Sequence, residues 1–168
     1  MSHPVVLALF DDAAAAAAAA RDLRERGVPR ERVSIVARSH DEQGAVAQAA
    51  GASPGSEIED SARASRFGEL SAHLIAAIAI VMPGIGPIVA DGPLSAGLGE
   101  AAGHLAGGIG RTLEDAGLSR SDAERWASRI HAGAFLVGAH VDGGSVESAR
   151  EAFTRAGAGQ IVVGTWAD

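Results

Sequence analysis

Four short runs carry apolar residues at both alternating sets of positions: VVLALF (Val5 to Phe10), RVSIVAR (Arg32 to Arg38), AFLVGAHVD (ending at Asp142) and QIVVGTW (Gln160 to Trp166). Strand length and β-branched content predict β-strands. A strand with one wet face alternates apolar with polar residues, so a sheet made of these four needs cover on both sides. After the first run, Asp11 and Asp12 can cap a helix, and Ala13 to Ala20 is strongly helix-forming. RDLRERG then places Arg24 and Arg26 at the negative end of the helix dipole and Gly27 at a left-handed stop. The third run leads likewise into GGSVESAREAFTRAG, a predicted helix capped near Ser145 and closed at Gly157. Asp12 falls on Asp142, Ala19 on Ala149, Leu23 on Phe153, Gly27 on Gly157 and Phe10 on His140. This internal repeat of two βαβ units, residues 4–38 and 133–168, predicts an α+β, ferredoxin-like split βαβ fold. It has a four-stranded antiparallel sheet with two helices on one face. The other face must be shielded by the segment between the repeats or by a second subunit.

That segment begins with a polar linker, residues 39–60, punctuated by Gly, Ser and Pro. Residues 61–132 read as a helical insertion within one domain spanning 1–168. Helical character runs from Ser61 to Met82 and stops at Pro83-Gly84. The turn PGIGP leads to Ile88-Val89-Ala90, and another helix extends from about Leu94 to Asp115. In SRSDAERW, Ser121 and Glu124 have capping-box spacing, and Gly133 closes that last helix. A spanning helix needs about 20 consecutive apolar residues, whereas the run from Leu74 is cut at Pro83 and again at Pro87. Gly99, Gly103 and Gly107 recur every fourth residue and offer a smooth stripe for close helix packing.

The run PGIGPIVADGPLSAGLGEAAGHLAGGIG, followed by a short acidic helix and the GAFLVGAHVD strand, resembles the bacterial general stress protein family, also called heat-induced stress proteins. The resemblance covers about Val5 to Arg38 and Leu70 to Val163, with PGIGP…GPL its most specific part. It implies a glycine-rich hairpin between βαβ halves and an association with stress responses, and it supplies no catalytic residues.

Hydrophobic residues are 47% of the chain and aromatic residues only 4%, so its helices and strands can approach closely through alanine and glycine. A formal charge of −7 disfavours nucleic acid and anionic membrane surfaces as partners. The absence of cysteine excludes disulfides and thiol chemistry. MSHPVVLALFDD lacks the basic start of a secretion signal, which leads to the expectation of a cytoplasmic protein.

Candidate chemistry is sparse. His140, His73, His104 and His131 are the candidate metal ligands, but none has i, i+4 spacing or a flanking carboxylate motif, and a packed or surface histidine is the commoner role. VDGGSVES follows a strand and precedes a helix, yet lacks the lysine and glycine spacing of a phosphate loop. No GxSxG elbow occurs, and Glu114-Asp115 sits at a solvated helix end. Trp126 and Trp166 suit core or interface anchoring. No catalytic residue and no cofactor is expected. The leading expectation is a non-enzymatic stress-associated protein that acts through self-association, as a homodimer, or through a protein partner. One alternative is a small-ligand or metal-binding module between sheet and insertion, using His140, His73 or His104. Another is reversible membrane contact through the apolar hairpin.

Overall fold

The computed structural model describes residues 2–38, 78–82, 86–94 and 108–167, with the backbone alone given for 78–82 and 86–91. The strands are β1 (Ser2–Phe10), β2 (Val33–Arg38), β3 (Ile78–Met82), β4 (Gly86–Asp91), β5 (Phe135–His140) and β6 (Gln160–Ala167). The described α-helices are α1 (Ala13–Glu25), α2 (Gly108–Asp115), α3 (Arg120–His131) and α4 (Val146–Arg155). The fold is therefore a mix of helix and antiparallel sheet.

The four strands of the two βαβ halves lie side by side in the order β2-β5-β1-β6, and every pairing is antiparallel. The first strand thus occupies the interior, flanked by the last two. β3 and β4 form a hairpin in which Met82 pairs with Gly86, and β4 adds to β2 with Ile35 opposite Asp91, so one sheet runs β3-β4-β2-β5-β1-β6. This corrects two expectations: residues 78–82 are strand rather than the end of a helix, and the sheet exceeds four strands. The cause is local composition. The stretches IAIVM and GPIVAD are rich in β-branched residues, which favour the pleated surface of a growing sheet edge. The remainder of the expected Ser61 to Met82 helix lies outside the described residues, as does the polar linker.

Both faces of β1, β2 and β5 are covered, and by the chain itself. Val6, Ala8 and Phe10 of β1 pack with Val33, Ile35, Val137 and Ala139 against α1 and α4, whose inward residues include Ala16, Ala20, Leu23, Ala149 and Phe153. The alternate residues Val5, Leu7 and Leu9, with Val36 and Leu136, pack against α2 and α3 through Ile109, Leu113, Ala123, Trp126 and Ile130. The second cover that the doubly apolar β1, β2 and β5 demand comes from α2 and α3.

The helix ends follow the predicted chemistry with two departures. Asp12 caps α1 by accepting from the Ala15 N–H at 2.8 Å. Asp12→Ala is expected to lower stability by about 1 kcal/mol, read as a lower urea midpoint at unchanged slope. Gly27 and Gly157 close their helices at φ of 88° and 86°, as their repeat positions require. The cap of α3, however, is Ser119 with Asp122, two positions before the expected Ser121 and Glu124. The repeat also slips. The offset aligning Ala19 with Ala149 and Leu23 with Phe153 holds in the helices, where all four residues are buried on one side of the sheet. In the strands it fails: Phe10 faces α1 and α4, whereas His140 points to the opposite face, toward Ser34. A one-turn 3₁₀ segment, Gly143–Ser145, precedes α4 and absorbs the difference, and Ser145 makes no side-chain cap.

Candidate functional site

The polar exceptions among the buried described residues are Ser34, Thr112 and His140. Two of these meet. Ser34 and His140 stand on the face of β2 and β5 that carries α2 and α3, and Ser34 Oγ is 3.1 Å from His140 Nε2. The other ring nitrogen of His140, Nδ1, is 3.0 Å from Nε2 of His3, which β1 brings alongside by pairing Val5 with His140. The chain leaving β4 completes the cluster, where the Leu94 N–H donates to Ser34 Oγ at 3.1 Å. That approach depends on Gly92, at φ 80°, where a Cβ would lie 2.3 Å from the Val33 carbonyl oxygen and 2.7 Å from Ser34 Cα. Gly138 clears the adjoining space in the same way, since a Cβ there would come within 3.2 Å of the Leu94 side chain. Trp166 packs edge-on to His140, with ring centroids 5.8 Å apart.

His140 is 1% exposed and Ser34 fully buried, while His3 is half-buried near the beginning of β1. The arrangement is therefore a line of hydrogen-bonding groups running from a partly exposed imidazole to a buried hydroxyl. Ser34 is not presented to a substrate from solvent, so the serine–histidine pair lacks the accessibility that nucleophilic catalysis requires.

His140, a sequence candidate, thus sits at the centre of the cluster. His131 is elsewhere, exposed at the end of α3, where its backbone carbonyl accepts from Arg38 Nη1 at 2.7 Å. His73, His104, Gly99, Gly103 and Gly107 lie outside the described residues. Trp166 is a buried wall of the histidine cluster, and Trp126 is a core anchor whose indole N–H donates to Gln160 Oε1 at 2.8 Å. His3 and Ser34 escaped the sequence reading. The available signals were the serine in the apolar run RVSIVAR and the phase of His3, two residues before Val5 on the same strand face.

Elsewhere on the helix layers the polar groups bind one another. Arg26 joins α1 to α4 through Asp22 Oδ1 at 2.9 Å, the Ser148 carbonyl and hydroxyl at 3.1 Å each, and Glu151 Oε2 at 3.2 Å. The bond to Asp22, followed by that to Glu151, holds this guanidinium above its ordinary pKa. Arg129 pairs with Asp11 and Arg125 with Asp122. Between the sheet and α2, Val36, Leu94, Ile109, Thr112, Leu113 and Leu136 pack closely enough to leave no room for a water molecule. No ligand cavity exists at that point. No described helix is long and apolar enough to cross a membrane.

β6 forms an outer edge of the sheet, and no described element pairs with its free side. Its sequence, QIVVGTWA, contains no charge and no proline. Val163, at 45% exposure, is the exposed large hydrophobic side chain among the described residues. No protein-family model, curated protein or solved structure matches this chain.

Proposed function

We propose that this chain is a non-enzymatic protein that acts by self-association. It is built as a ferredoxin-like pair of βαβ units with an insertion shielding the second sheet face, and two copies join along the free edge of β6. The observation that carries this reading is the character of that edge. Sheet edges that stay single are guarded by lysine, proline or bulges, whereas β6 offers eight uncharged residues with Val163 exposed. An antiparallel β6 pair around a two-fold axis would satisfy both free edges at once, the isologous contact commonest in small homo-oligomers. The likeness of PGIGPIVADGPL to the general stress family adds a stress-associated, cytoplasmic role to the proposal.

Light scattering behind size exclusion tests the association. The wild-type chain should elute with twice the 16.9 kDa chain mass. Val163→Lys with Thr165→Lys, both at exposed positions of β6, should elute as a folded monomer with the wild-type circular dichroism. A wild-type monomer at high concentration, or a double variant that stays dimeric, removes the β6 contact from consideration.

A further inference from the structure

The strand registers fix which backbone groups of β6 are turned to its free edge, and with them how a second copy fits there. Resting on the edge contact proposed above, we infer that two copies meet with the two-fold axis at Val163, through the N–H and C=O groups of Ile161, Val163 and Thr165.

One loop hydrogen bond sets the phase of the ladder. The Val141 N–H donates to the Pro4 carbonyl at 3.0 Å, and these residues stand opposite each other in the register that pairs Val5 with His140. In an antiparallel ladder a residue turns its N–H and C=O to one side, and the next residue turns them to the other. Pro4, Val6 and Ala8 therefore bond toward β5, while His3, Val5, Leu7 and Leu9 bond toward β6. The β6 residues opposite the latter are Trp166, Gly164, Val162 and Gln160. The residues between them, Ile161, Val163, Thr165 and Ala167, thus aim their backbone groups at the free edge, where no described element pairs with them.

The turn after α2 selects the register. Two positions of the axis, Val163 and Gly164, set outward residues against outward residues while overlapping nearly all of β6. The Ala116 carbonyl and Gly117 Cα lie directly over Gly164. An axis at Gly164 sets this glycine against its own copy about 4.5 Å away and drives the two turns into the same space on one sheet face. An axis at Val163 sets Gly164 against the partner's Val162 instead. The two glycines are then about 8 Å apart, from the rise along a strand and the spacing across it, and the turns pass side by side. Ile161 exchanges bonds with the partner's Thr165, and Val163 with the partner's Val163, so that the two exposed valines cover each other. A second copy suits this edge because β6 carries no charge and meets its own image without setting like charges opposite.

Amide exchange read by NMR on the wild-type chain, together with proline substitution, tests the inference. In the dimer the Ile161, Val163 and Thr165 amides should exchange about tenfold or more slower than Ala167, whose outward N–H lies beyond the overlap. Val163→Pro removes an outward donor and spares the β1–β6 ladder. It should keep a urea midpoint close to that of the wild type and weaken association by about a hundredfold or more. Val162→Pro removes a donor to Leu7 and should lower the midpoint strongly. Slow exchange at Ala167 as well would leave the β6 contact standing and overturn the register. A dimer in which Ile161, Val163 and Thr165 exchange as fast as Ala167, or one that Val163→Pro leaves intact, would overturn both the register and the β6 contact. Equal loss of midpoint in the two proline variants would overturn the assignment of outward groups, and the exchange pattern of the wild type decides the matter even where neither variant folds. A wild-type chain that scatters as a monomer would remove the edge contact itself.

Discussion

Gly164→Ala is expected to cost about 3 kcal/mol, the upper end of ordinary overpacking. Gly164 lies on β6 opposite Val5, and the last turn of α2 rests directly on it. A Cβ at this position would come 1.7 Å from the Ala116 carbonyl oxygen and 2.9 Å from its carbon. These are backbone atoms that cannot rotate away. The turn is fixed in its own right: Gly117 closes α2 at φ 98°, and the Leu118 N–H donates to the Leu113 carbonyl at 3.0 Å. Relief therefore requires the whole α2–α3 layer to lift from the sheet. Gly110, within α2, is the internal control, because a Cβ there meets nothing within 4 Å. Gly110→Ala should stabilise by up to about 1 kcal/mol through helix propensity. Urea denaturation of the two variants, showing opposite shifts of midpoint, checks the argument; equal shifts would mean that the close contact at Gly164 carries no energy.

Trp126→Ala should cost about 3–5 kcal/mol, the range for removing a buried large aromatic side chain. Trp126 is 0% exposed and stands at the heart of the α2–α3 layer, in the cluster containing Leu113, Ala123, Ile130 and Leu136. Its loss also leaves Gln160 Oε1 without the indole donor at 2.8 Å. Because net stability of a small domain is about 5–15 kcal/mol, such a loss removes a large share of it. Trp166, the second tryptophan, remains as a fluorescence reporter of the sheet in chemical denaturation. A midpoint within error of the wild type would show that this layer contributes little.

Much of this layering was legible in the residues. A strand such as VVLALF, apolar at every position, has no side it can show to water, and that alone required a second cover. The helices of the halves were equally plain, because Asp12, Gly27 and Gly157 are local signals that work without knowledge of the fold. The hairpin Ile78–Met82 and Gly86–Asp91 was less so. A short apolar run next to alanines satisfies helix and strand alike, and only a pairing partner decides between them. Likewise the cap of α3 depended on which of the serines Ser119 and Ser121 met the first free N–H groups. His140 stood out as a polar residue ending an apolar strand, but its company did not. His3 is 137 residues away and Ser34 is 106 away. Their meeting is created by strand registers, β1 on β5 and β2 on β5, that no local pattern encodes.

The placement of β1 bears on how the polypeptide matures during synthesis. The earliest-made of the described strands takes its hydrogen bonds from the two made latest, with Ser2 opposite Ala167 and Phe10 opposite Phe135. Long-range pairings of this kind form slowly and leave apolar chain exposed in the interval. The greasy β1 segment must therefore wait, unpaired, while the more than one hundred residues between it and β5 are made, so its shielding during synthesis falls to α1 or to factors outside the chain.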